Sequence, residues 1–222
     1  MGILETLTLA LGTSWASGIN LYAAVAILGV LDAMGFITLP ENLQILSSPL
    51  AIGVAVLLYV LEFFADKIPG VDSIWDALHT FIRIPAGGLM AMGIVEGLDV
   101  GFTQEMQTVA AFVAGSAVAA GSHVTKAGTR AVINIWPEPV TNWTASFLED
   151  FIVVVGMFFA IFKPIVFLVI FAVFALIAIW IVPKIWGGIK KVFSNSRHLV
   201  NTMKMEPKER MSRSLTHNSP QE

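Results

Sequence analysis

The sequence predicts an all-α, polytopic membrane protein of about six transmembrane helices. Three observations carry this. The 222 residues are 56% hydrophobic and 13% charged, about half the charge of a typical soluble domain. Several apolar stretches approach the ~20 residues that cross a bilayer. The remaining charge is concentrated rather than spread. There are no cysteines, which excludes disulfides, thiolate metal sites and cysteine nucleophiles. MGILETLTLALG has no Lys or Arg before its apolar run, so it reads as part of the first membrane helix and not as a signal peptide.

The elements follow in order. Residues 3–35 are almost continuously apolar except at GTSWASG, 12–18. One straight helix there would be ~50 Å long against a ~30 Å hydrocarbon core, so a break or strong tilt near Gly12–Gly18 is expected. Residues 36–49, with two prolines, form a loop containing a short interfacial piece. Helix two is expected from about Leu50 to Lys67, before Pro69-Gly70. Helix three starts with Asp72 as N-cap and runs to about Val95, kinked at Pro85. An acidic loop, 96–105, precedes helix four at about 105–134. WPEPVTN turns into helix five, Trp143–Phe162. Lys163-Pro164 leads to helix six, the most apolar stretch, expected to face lipid. The membrane domain is 1–193; the polar segment 194–222 reads as a disordered tail.

Eight of the 13 Lys and Arg lie at or after Lys184, and the loops 36–48 and 96–105 contain none. Positive charge stays inside, so both termini are expected in the cytoplasm of a multi-pass plasma-membrane protein. Residues 11–28 can be laid on 114–131, superposing Gly12 on Gly115 and Gly18 on Gly121. Two readings stand. One is a pair of inverted three-helix repeats with glycine-broken first helices, as in transporters and channels. The other is a likeness of composition, with Gly and Ala permitting close packing.

Residues 59–85 hold Glu62, Asp66, Lys67, Asp72, Asp76, His79 and Arg83. The last four are spaced 4, 3 and 4, on one helix face. Helix four carries His123, Lys126, Arg130 and Asn134 at spacings 3, 4 and 4, and helix five carries Glu149 and Asp150. The expected topology brings these groups into one layer in the cytoplasmic half of the membrane. Six acids against four bases give it a net charge of −2 before the histidines titrate. Charges facing lipid cost at least ~2.5–3.5 kcal/mol at a helix centre, so the groups should face each other or water. Each also has a plainer reading. Asp72 and Asp76 suit a helix N-terminus. Lys67 suits a snorkelling anchor. Arg83–Asp76 and Lys126–Glu149 suit ion pairs that fix helix register.

No HExxH, GxSxG or Walker motif is present, and Lys126 and Arg130 are too close for the Lys-x6-Arg-Pro of lipid phosphatases. No catalytic residue is assigned. No cofactor is identified; two histidines with Asp72, Asp76 and Glu149 could take a divalent metal.

GINLYAAVAILG…LP, EFFADKIPGVDSIWDALHTFIRIPAGGLMA and KAGTRAVIN resemble a bacterial integral-membrane family catalogued as a domain of unknown function (number 4126). The resemblance covers most of residues 10–185. Its motif is Glu62-x3-Asp66-Lys67-x-Pro69-x2-Asp72-x3-Asp76. It implies fold and bacterial inner-membrane location and supplies no activity. Glu62–Lys67 is also similar to the E-x-G-D-K-[ST] signature of cation/proton exchangers, with one residue more, no hydroxyl and no second copy.

The function read from these features is a small-solute or ion transporter or channel. Glu62, Asp66, Asp72 and Asp76 would be cation or proton ligands, with His79 and His123 as proton carriers. Arg83, Lys126 and Arg130 would be counter-charges or anion ligands, and Glu149 and Asp150 would complete the layer. A membrane enzyme or binder of a phosphorylated lipid is the second reading, and a structural subunit with buried ion pairs the third. The expected partners are the bilayer and a small ion or solute, with a homo-oligomer open and no nucleic acid.

Overall fold

The computed structural model describes residues 2–68, 70–99, 101–134 and 138–204. Among these it contains six α-helices and one 3-10 helix: α1 (Ile3–Ala33), the 3-10 helix Glu41–Ser47, α2 (Pro49–Ala65), α3 (Val71–Val95), α4 (Gln104–Ile133), α5 (Pro139–Phe162) and α6 (Pro164–Lys204). Five helices are long and apolar enough to cross a membrane, and α2 with the preceding 3-10 helix, bent at 64°, makes a sixth candidate. The chain divides into two compact units, Met1–Val182 and Pro183–Glu222, and everything below concerns the first. Most of the polar tail, 205–222, lies outside the described residues; the backbone of 194–204 continues α6.

α1 is the central helix. It packs against α2, α3, α4 and α5 and is buried over most of Thr6–Gly29, as a helix apolar on all sides should be. Its interruption falls at Asn20 (φ −146°, ψ 93°) and not within 12–18. The physical reason is capping. Asn20 Oδ1 accepts from the Ala23 N–H at 2.9 Å, the N-cap geometry an asparagine favours, so the second half of α1 starts afresh there. Gly12 and Gly18 serve packing instead. A Cβ at Gly18 would overlap Ser122 Oγ and the Ala119 carbonyl of α4, and one at Gly12 would overlap Ala160 of α5.

α3 and α4 share the most extensive helix contact. It is built reciprocally from Gly87 and Ala91 on α3 and Gly115 and Ala119 on α4. A Cβ at Gly87 would lie 2.6 Å from that of Ala119, and one at Gly115 would lie 2.6 Å from that of Ala91. Two small residues four apart on each helix are the small-xxx-small pattern that lets backbones meet in lipid. Ser14 and Ser17 of α1 add interhelical hydrogen bonds, donating to the Gly87 carbonyl (2.9 Å) and the Arg83 carbonyl (2.8 Å).

α6 packs through aromatic side chains: Phe167 and Phe174 lie edge-on to Trp15 at 6.2 and 5.8 Å. Its Ile165, Val169, Val173 and Leu176 are exposed, the lipid-facing surface expected of the most apolar helix. Gly70 (φ 86°), and not Asp72, is the N-cap of α3. At that φ a side chain would be strained, and Asp72 lies two positions past the cap, inside the first turn. α5 begins at Pro139, earlier than Trp143, which lengthens the helix below Glu149.

Candidate functional site: a buried chain of charges

The charged residues of α2, α3, α4 and α5 meet in one continuous ionic chain that alternates acid and base. Asp76 Oδ1 accepts from Arg83 Nη1 at 2.8 Å, and Arg83 Nη2 donates to Glu62 Oε1 at 2.6 Å. Lys126 Nζ donates to Glu62 Oε1 (3.1 Å) and Asp66 Oδ2 (2.8 Å). It also lies 3.7 Å from Asp76 and 3.7 Å from Glu149. Arg130 lies 3.6 Å from Asp66 Oδ2 and forks onto Glu149 through Nε (3.0 Å) and Nη2 (2.7 Å). The order is therefore Asp76–Arg83–Glu62–Lys126–Asp66–Arg130–Glu149.

The helices place these groups by simple rules. Glu62 and Asp66, one turn apart, project from the end of α2. Asp76 and Arg83, two turns apart, share a face of α3, and Lys126 and Arg130 share one of α4. The break in α1 contributes directly: the Ile19 carbonyl, beside Asn20, accepts from Lys126 Nζ at 3.1 Å. Asn20 Nδ2 donates to Asp150 Oδ1 at 3.0 Å. One polar residue thus shapes α1 and holds an acid of α5.

Burial is nearly complete. The side chains of Arg83 and Glu62 are 0% exposed and no other member exceeds 4%, except Glu149 at 15%. Four carboxylate oxygens are buried with no hydrogen-bond partner: Glu62 Oε2, Asp66 Oδ1, Asp76 Oδ2 and Asp150 Oδ2. The bases are more fully engaged, with Arg83 Nε their one buried nitrogen lacking a partner among the described residues. Both terminal nitrogens of Arg83 and the ammonium of Lys126 face carboxylates. Arg130 Nη1 donates to the Asp66 carbonyl at 2.8 Å.

Other expected site residues stand beside the chain. Asp72 Oδ1 accepts from the Gly70 and Ser73 N–H groups and from Asn134 Nδ2. It makes no ion pair among the described residues, so its geometry is that of a helix-end clasp between α3 and α4. His79 stacks on Trp75 at 4.3 Å. It lies with Nδ1 2.8 Å from the Trp75 carbonyl and Nε2 2.9 Å from the Tyr22 hydroxyl. His123 lies 2.7 Å from Thr80 Oγ1 through Nε2 and 3.4 Å from Arg83 Nη1 through Nδ1.

Lys67 does not snorkel. It is buried, donates to the Phe63 carbonyl at 2.9 Å and sits among the rings of Phe63, Phe147 and Trp143, a cation–π cup. Among the described residues no group of three or more histidines and acids is placed to hold a metal ion.

The sequence reading missed Asn20, Tyr22, Trp75 and Thr80 as participants, and Asn142, whose carbonyl and Oδ1 each accept from Arg130 Nη1 at 3.4 Å. A signal existed for Asn20: an amide in the middle of an apolar span must find partners.

A long, all-α, apolar chain with a buried charged layer between its helices defines a multi-pass membrane protein. The chain belongs to the family described as Domain of unknown function (DUF4126), which it matches over residues 7–184. No curated protein and no solved structure matches it, cation/proton exchangers included.

Proposed function

We propose that this protein binds a small cation or proton in the buried charge chain and moves it across the membrane. One observation carries the reading: the layer is acidic in excess and keeps four buried carboxylate oxygens without a donor. The chain has four acids and three bases, and Asp150 adds a fifth acid. Buried carboxylates lacking partners either take up protons or bind cations. A scaffold of closed ion pairs would leave no such oxygens. A phosphate would need several free donors; of the three bases in the chain only Arg83 keeps an unpartnered one, its buried Nε, which disfavours the lipid-phosphate reading. The absence of a three-ligand cluster among the described residues favours a proton or singly charged cation over a divalent one.

The positive charges support placing both termini in the cytoplasm and this layer in the cytoplasmic half of an inner membrane. The repeat belongs to the same proposal. Its alignment sets Asn20 against His123, both at the charged layer, although α4 continues through its copy while α1 breaks.

The test is flux in proteoliposomes carrying a pH dye, under imposed proton, Na⁺ and K⁺ gradients. Wild type should carry one of these and Asp66→Asn should not. Equal leak in wild type, variant and empty vesicles would reject transport.

A further inference from the structure

We propose that the transported ion is a proton and that Asp150 is the carboxylate that carries it, held in place by Asn20. This rests on the transport reading above and names the ion and the residue within that same layer. Asp150 stands apart from the other acids. Glu62, Asp66, Asp76 and Glu149 each keep an oxygen within 2.8 Å of a base. Asp72 has no base, but both its oxygens accept hydrogen bonds. Asp150 makes no ion pair among the described residues. Its one side-chain hydrogen bond comes from the neutral amide of Asn20, donated to Oδ1 at 3.0 Å, and its Oδ2 is buried without a donor.

A buried carboxylate oxygen with neither base nor donor is costly, and a proton removes that cost. At Oδ2 the proton displaces no existing hydrogen bond. Elsewhere in the layer the lone oxygens belong to carboxylates already paired with a base, so protonation there would weaken an ion pair. The groups around Asp150 do not supply the missing charge. Lys126 of α4 attracts it from beyond pairing distance and is shared by Glu62, Asp66, Asp76 and Glu149. Glu62 and Asp66 of α2 are like-charged neighbours, Tyr59 of α2 is a neutral one, and Glu149, next along α5, is held by Arg130. Lys67 also feels Asp150, yet its ammonium stays in the ring cup, donating to the Phe63 carbonyl and standing 3.4 Å from Ser146 Oγ, one turn before Asp150. A desolvated Na⁺ or K⁺ needs a shell of oxygens, and Asn20 offers none: its Oδ1 is taken by the Ala23 N–H and its amide N–H points at the acid. A proton needs one oxygen. On uptake a hydronium gives its proton to Oδ2, which forms the O–H bond and leaves water; on release that bond breaks and a water takes the proton.

The experiment uses the full chain in proteoliposomes, with proton flux and infrared spectra measured on the same preparations. Asp150→Asn keeps an oxygen for Asn20 to donate to and should lose proton flux to the level of empty vesicles, while Asp150→Glu retains part of it. Subtracting the Asp150→Asn spectrum from that of wild type should isolate a carboxylic-acid band that turns into a carboxylate band as pH rises through the range of flux. A difference spectrum with one form at every pH would overturn the assignment. Should Asp150→Asn fail to fold, Asp150→Glu decides: the titrating band should move, and a titrating band that does not move overturns the proposal. Wild-type proton flux in Asp150→Asn, with Asp66→Asn inactive, would overturn Asp150 and leave transport standing. Flux of Na⁺ or K⁺ without protons would overturn the proton and also leave transport standing. No flux of any ion would reject both.

Discussion

Removing a base from the charge chain should cost far more than removing an acid, and Lys126 and Asp66 are the pair that shows it. Lys126 Nζ lies within 3.7 Å of Glu62, Asp66, Asp76 and Glu149 and is 2% exposed. Lys126→Met turns a chain of four acids and three bases into four and two, and strips Glu62 Oε1 and Asp66 Oδ2 of their ammonium. Breaking a buried pair from one side costs ~3–5 kcal/mol, and the upper part of that range is expected here because two carboxylates lose the same donor. Asp66→Asn leaves three acids and three bases. Its amide keeps an oxygen to face Lys126, and it removes a carboxylate oxygen that had no donor. A loss below ~2 kcal/mol is expected, the scale of one hydrogen bond to a charged group changed to a neutral one. Lys126→Met with Asp66→Asn should be milder than the sum of the two, since neighbours in one network couple by ~0.5–3 kcal/mol. Thermal unfolding in a single detergent, followed by helical signal and by aggregation, ranks the three variants. Asp66→Asn as damaging as Lys126→Met would refute the acid excess on which the functional proposal rests.

Gly18→Val drives a branched side chain into Ser122 and the Ala119 carbonyl, and should cost at least the ~1–3 kcal/mol of overpacking, read as a fall in melting temperature. Asn20→Ala removes the cap and the Asp150 partner together. A loss of ~1–3 kcal/mol is expected, the sum of a cap and a side-chain hydrogen bond, where Ser17→Ala should lose about 1 kcal/mol. Cysteine labelling from outside whole cells should reach Glu41→Cys and Asp99→Cys; labelling of position 99 only from the cytoplasm would invert the topology.

Much of this architecture was legible in the sequence because lipid leaves few options. Apolar runs near the bilayer thickness became α1 to α6, and charges at helical spacing had to find one another inside. The 3–4 spacing placed Asp76 with Arg83 and Lys126 with Arg130, and the chain between them followed from the cost of a charge facing lipid. What spacing could not supply was the partner list across helices. The sequence equally allowed Lys126–Glu149 as the main pair, whereas the structure sets Lys126 closest to Asp66 and gives Glu149 to Arg130. The break in α1 was drawn to the glycines because Gly is a poor helix former. Close helix contact explains those glycines, and the side chain able to cap, Asn20, marks the break.

Infrared difference spectroscopy of the carboxyl groups tests the central claim most directly. The reconstituted protein would be switched between low and neutral pH, and between Na⁺-free and Na⁺-loaded or K⁺-loaded buffer at fixed pH. A buried acid layer that takes up protons or cations should change its carboxyl and carboxylate bands on at least one of these switches, and part of that change should vanish in Asp66→Asn. Bands that stay fixed through every switch, in wild type and variant alike, would mean a closed set of ion pairs and would contradict the account.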